Sequence, residues 1–155
     1  MTSGNETGVA AGPAPGRAGR TRRLAGAGVL AALAATAATT VAAAFAKAVG
    51  VDFAIPDGGE TIPLPGFAVV TCFFSMVGLA LAVALLRWSA RPAERFVATA
   101  VSLTAISLIP PLVSGADAAT VTALIGLHLV PAAVMIPVLA RSLRARTEGR
   151  SGRRR

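Results

Sequence analysis

The sequence predicts an all-α fold, a four-transmembrane-helix bundle with a short irregular hairpin in one outer loop, and three observations predict it. Hydrophobic residues make up 54% of the 155-residue chain and charged residues 14%, more apolar surface than a soluble core of that size takes up. The apolar residues are gathered into four runs, 24–46, 66–86, 96–113 and 120–140, each close to the ~20 residues that cross a ~30 Å hydrocarbon layer. Basic residues flank the runs almost entirely on one side. The transmembrane domain therefore occupies 24–140, between basic tails at 1–23 and 141–155. The N-terminal tail has almost no large apolar side chains to offset the entropy of ordering, and both tails are expected to be without structure.

The first span, 24–46, is rich in alanine and carries Thr36, Thr39 and Thr40. A rival reading makes it a secretory signal peptide, with Arg20, Arg22 and Arg23 as its basic flank and Ala44-Phe45-Ala46 as its cleavage site. The run outlasts the ~7–15 residues of a signal-peptide core, which favours a retained span. The loop that follows sets Phe53, Ala54 and Ile55 against Thr61, Ile62 and Pro63 around Asp57-Gly58-Gly59. That is a hairpin pattern, kept short and irregular by Pro56 and Pro63, which have no N–H to donate.

The second span ends at Leu86, with Arg87 and Trp88 suited to the headgroup layer. After a tight connection, Pro92 fits the first turn of the third helix, where its missing N–H would be unpaired anyway. Pro110-Pro111 is expected to kink or close that helix. Gly115 and Asp117 then supply a stop and a new N-cap. Pro131 and Pro137 are expected to interrupt the fourth span and to free the carbonyls of Leu127 and Ala133. Orientation follows from the basic residues. Four arginines precede the first run, three lie in the 87–95 connection and seven follow the last run, against Lys47 alone in the two opposite loops. Both termini are therefore expected in the cytoplasm of a multi-pass cell-membrane protein. The dominance of arginine over lysine, with abundant alanine, suggests a GC-rich bacterial genome.

Val51-Asp52-Phe53, Ile55-Pro56-Asp57-Gly58-Gly59-Glu60, Pro63 and Gly66-Phe67, with His128-Leu129 and Ile136-Pro137 on the last helix, resemble a family of small actinobacterial four-span membrane proteins of unknown function. The resemblance implies the architecture. It supplies no activity, cofactor or catalytic residue.

His128 is the only histidine and the one ordinarily titrating side chain well inside a span, which makes it the default site candidate. Counting ~1.5 Å per residue from the outer ends places it near the levels of Thr39 or Thr40, Ser75, and Ser107 or Thr104. Such a layer is either a ligand or transport site or plain helix glue, at about 0.6 kcal/mol per hydrogen bond in a membrane. Asp52, Asp57 and Glu60 form a candidate outer-loop interaction surface, although Asp57-Gly58-Gly59-Glu60 lacks the alternating ligands of a calcium loop. Gly26-x-Gly28-x-x-Ala31 matches a dinucleotide fingerprint in letters only, because no strand precedes it. Small-residue helix packing explains it, as it does Gly78 and Ala82.

The arginine tails carry no aromatic residue to stack on a base, so anionic lipid headgroups are the expected partner and nucleic acid is not. Cys72 is the single cysteine, which excludes an internal disulfide. No cofactor, metal or catalytic set is legible, so the chain is not expected to be an enzyme. The functional expectation is an integral membrane protein with a structural or interaction role, pairing with itself or with another membrane protein. The alternative is a small transporter or proton-linked permease that uses His128.

Overall fold

The structure, a computed structural model, describes residues 17–54 and 61–151. Its elements in chain order are α1 (Arg17–Ala48), α2 (Leu64–Trp88), α3 (Pro92–Ser107), α4 (Ile109–Val113) and α5 (Ala118–Ser151). Taking α3 and α4 together, four stretches are long and apolar enough to cross a membrane: Thr21–Ala48, Leu64–Trp88, Pro92–Val113 and Ala118–Ala145. This is the all-α four-span architecture of a multi-pass membrane protein.

The outer helices reach beyond the spans. The tails expected to lack structure are helical from Arg17 and on to Ser151, while 1–16 and 152–155 lie outside the described residues. A span already supplies the costly helix nucleus, so extension into alanine- and arginine-rich sequence is cheap. Packing also contributes, because Leu143 is fully buried beyond the end of the expected span.

Proline explains where helices start and break. Pro92 opens α3 after Arg91, whose guanidinium lies 3.5 Å from the Glu94 carboxylate in an exposed pair. At Pro110-Pro111 two successive N–H groups are missing, and the helix breaks at Leu108, whose N–H donates to the Ala105 carbonyl 3.2 Å away. Pro131 and Pro137, expected to interrupt the fourth span, do not: α5 runs through both as continuous helix. Each costs one isolated hydrogen bond, and the flanking turns carry the helix across. Gly115, at φ 68°, makes the turn into α5. The Asp117 carboxylate then accepts from the N–H groups of Ala119 (2.8 Å) and Thr120 (3.1 Å), the expected N-cap.

The spans form a ring. α1 packs on α2 and α5, α3 packs on the same two from the other side, and α2 meets α5 across the middle. Successive spans are antiparallel, so the start of α1, the α2–α3 connection and the end of α5 share one end, the arginine end. The α1–α2 loop and the turn before α5 share the other, the hairpin end.

The core is two apolar clusters. At the arginine end all four spans contribute, with Leu24, Ala31 and Ala35 of α1, Leu79 and Ala82 of α2, Ala93 and Phe96 of α3, and Met135, Leu139 and Leu143 of α5. Gly28 lets α1 and α2 approach there, since a Cβ on it would run into the Leu79 side chain. Gly26 and Gly78 have open space around them and are not contact positions; the face they were expected to share rests on Gly28, Ala31 and Ala82. At the hairpin end the cluster is Ala43 of α1, Leu124 and Leu127 of α5, and Phe53 of the loop, with Ile62, Leu64 and Phe67 packed against them. α3 is absent from it.

Phe53 is fully buried and sits at φ 55°, in the left-handed region. Its ring lies 4.9 Å from that of Phe67. The Asp52 carboxylate accepts from the Ala54 N–H (3.0 Å), the Phe53 carbonyl from the Ile62 N–H (3.3 Å), and Ala54 pairs antiparallel with Thr61. The expected hairpin is thus present at its base as a single bridge. Its turn, 55–60, lies outside the described residues.

Candidate functional site

Between the two apolar clusters the facing helices carry polar residues. On α1 the buried residues Ala35, Thr39 and Ala43 follow one another at intervals of four, so the polar residue lies between two alanines on one helix face. On α2 the buried Thr71 and Ser75 sit on one face between Phe67 and Leu79 in the same spacing. On α5 the partly buried His128 follows Leu124 by one turn and precedes Met135 by two, on the face that buries both. On α1 and α5 the polar residue thus lies between the two apolar clusters, which places Thr39 and His128 in one layer, while the packing of Gly28 on Leu79 sets Thr71 and Ser75 about one and two turns nearer the arginine end.

Of the five residues grouped by depth, Thr39 and His128 lie in this layer and Ser75 lies nearer the arginine end. Thr104 and Ser107 do not join the layer. On α3 their hydroxyls donate to the carbonyls of Ala100 (2.8 Å) and Thr104 (2.7 Å) in their own helix. The buried residues of α3 are Pro92, Ala93 and Phe96, all near its start. Thr71 escaped the sequence reading, although its four-residue step from Ser75 places it on the same face.

The threonines of α1 differ from one another. Thr36 and Thr40 donate to the carbonyls of Ala32 (2.9 Å) and Thr36 (2.8 Å), the usual back-bond of a helical threonine. Thr39 does not: its hydroxyl is buried and has no hydrogen-bond partner among the described residues. On α5, His128 Nδ1 lies 2.7 Å from the Leu124 carbonyl. A carbonyl only accepts, so Nδ1 carries a proton, and the Nδ1–H tautomer leaves Nε2 as an acceptor. Pro131, one turn below Leu127, has no N–H, so the Leu127 carbonyl lacks its usual helical donor as well. The layer is rich in acceptors.

Of the outer acids, Asp52 is exposed and accepts from the Ala54 N–H, and Asp57 and Glu60 lie outside the described residues. Asp117, also exposed, is held below the usual carboxylate range by Thr120, through its nearby hydroxyl and its N–H, and by the Ala119 N–H; the N–H groups make the hydrogen bonds, and the buried Thr120 hydroxyl makes none among the described residues. At the opposite end Arg22, Arg23, Arg87, Arg91, Arg95, Arg141 and Arg144 are exposed beside the exposed Trp88. Cys72 is exposed on the apolar outer face of α2.

No curated protein and no solved structure matches the chain. A family match runs over residues 19–145, from the first turns of α1 through the last span, and takes in the loop and fourth-span residues that carry the resemblance to a four-span family. By that match the chain belongs to the family of unknown function DUF6069.

Proposed function

We propose that this is a non-enzymatic cell-membrane protein with a structural or interaction role. Both termini lie in the cytoplasm, the arginine end rests on anionic headgroups, and the hairpin end is offered to a second copy or to another membrane protein. The observation that carries the reading is how the spans spend their polar groups. Thr36, Thr40, Thr104, Ser107, Thr122 and His128 Nδ1 are all turned onto carbonyls of their own helices. No charged side chain lies within any of the four apolar runs. A bundle of this kind has little with which to move a charged solute. Its arginines, carried on helical extensions, gain about 1 kcal/mol each near an anionic leaflet.

Crosslinking and co-purification from native membranes test the role, with a stable complex expected. Recovery of monomer alone in mild detergent, with the hairpin intact, counts against it. Reporters active only outside the cytoplasm, fused at either end, should stay silent; activity from a fusion after Arg155 overturns the orientation.

One observation favours a second reading, a small transporter or proton-linked permease: the unpartnered Thr39 hydroxyl at the level of His128. An apolar cluster closes the layer on each side, as in a site occluded from both faces of a membrane. Reconstituted vesicles decide it. Flux of protons and of every tested solute equal to that of empty vesicles excludes transport.

A further inference from the structure

We propose that the polar layer is a binding site for ordered water, held by the Thr39 hydroxyl of α1 and, on α5, by His128 Nε2 and the Leu127 carbonyl. The argument starts from Thr39. A buried hydroxyl without a partner costs about 1–3 kcal/mol, and α1 offers Thr39 the same remedy that Thr36 and Thr40 take. Thr39 is 2% exposed and leaves that back-bond unmade. The hydroxyl's hydrogen-bonding capacity is therefore left unused within the layer.

What it meets there selects the guest. The fixed groups of α5 are acceptors, the Nε2 of a ring whose Nδ1 faces a carbonyl and a carbonyl whose donor Pro131 lacks. Hydroxyls supply one proton each, so donors are short. Water brings two donors and two acceptor sites, and it is retained in protein interiors where two to four polar groups surround it. No carboxylate or lysine lies at this level to hold a cation, nor an arginine to hold an anion. The apolar clusters above and below keep the site from opening directly to bulk solvent. This inference does not depend on whether any solute crosses the bundle, and its test involves no flux.

The chain's one histidine makes that test direct. The full chain, carrying 15N-labelled histidine, is reconstituted in lipid bilayers and studied by solid-state NMR. The ring should report Nδ1 protonated and Nε2 accepting, with magnetisation transferred from water protons to its signals. Thr39→Val, which keeps the shape and removes the hydroxyl, should abolish that transfer and lower the unfolding midpoint, and Thr39→Ser should retain both. Absence of water transfer to the ring in the unmodified protein overturns the proposal and needs no variant to fold. So does transfer that survives Thr39→Val unchanged. A raised unfolding midpoint in Thr39→Val overturns it too, since losing a dry unpaired hydroxyl is stabilising.

Discussion

The two ends of the bundle solve the same packing problem differently. At the arginine end all four spans meet, and Phe96 of α3 closes the cluster from the far side. At the hairpin end α3 has left the core, and the α1–α2 loop brings in Phe53 as the fourth contributor beside α1, α2 and α5. One end is built by helices alone and the other depends on a loop residue in a conformation that L-residues rarely adopt. The difference predicts that the ends come apart separately, the hairpin end first, because its cluster rests on one strained residue and a single bridge.

Phe53 is where that contrast breaks most easily. Phe53→Ala removes a fully buried ring in contact with Phe67, and such truncations cost about 3–5 kcal/mol. Alanine keeps the left-handed strain, whereas glycine relieves it, so Phe53→Gly should be milder than Phe53→Ala by about 1 kcal/mol. Hydrogen exchange should show lost protection at the end of α1 and the start of α2, with the arginine end unchanged. Equal loss at both ends would show that the bundle opens as one unit.

The opposite end is probed at Gly28. A larger residue there drives into Leu79 inside the four-helix cluster, and overpacking of this kind costs about 1–3 kcal/mol. Gly28→Val should therefore lower the unfolding midpoint in detergent. Gly26→Val and Gly78→Val, at positions with open space around them, should stay within about 0.5 kcal/mol of the parent. If all three behaved alike, the close approach of α1 and α2 would not matter to stability.

What the sequence reveals of this architecture follows from the range of each signal. The spans were legible because length and hydropathy belong to single segments, and the break at Leu108 because two adjacent prolines act locally. The run of α5 through Pro131 and Pro137 was not, since surviving a lost hydrogen bond depends on the flanking turns. For the layer, depth along each helix groups Thr39, Ser75 and His128, but depth counted from each helix's own end misses the offset between α1 and α2 that moves Ser75 away from Thr39. Depth says nothing of face, and whether Thr104 and Ser107 look inward depends on which helices α3 touches. Phe53 was read only as part of a hairpin, because neither its burial nor its backbone conformation has a local signature in an aromatic residue.

A smaller effect belongs to the start of α5, beside the hairpin end. The Thr120 side chain and the N–H groups of Thr120 and Ala119 hold the Asp117 carboxyl below its unfolded value. A carboxylate so depressed stabilises the fold above its unfolded pKa, and that contribution fades as pH falls through the folded one. Asp117→Asn keeps an acceptor for the cap and removes the charge. The parent should be the more stable at neutral pH, with the two midpoints converging under acid. A gap that persists at low pH would assign the effect to cap geometry instead of charge.

The smallest effect is expected on α3, at Thr104, and it bears most directly on the asymmetry between the ends. Thr104 donates to the Ala100 carbonyl, which the helix already serves, so its loss strands no partner, whereas Ser107 donates to the Thr104 carbonyl, whose usual donor, the Leu108 N–H, turns to Ala105. Thr104→Val should therefore shift stability by no more than about 0.5 kcal/mol, and Ser107→Ala by about 1 kcal/mol. If α3 contributed these hydroxyls to the layer with His128, removing either would break an interhelical bond, worth up to about 1.7 kcal/mol in a membrane. The hydroxyl's loss would then also perturb the His128 ring signals. Unchanged histidine spectra in both variants, beside altered spectra in Thr39→Val, would assign the layer to α1 and α5, which also share the hairpin-end cluster with Phe53.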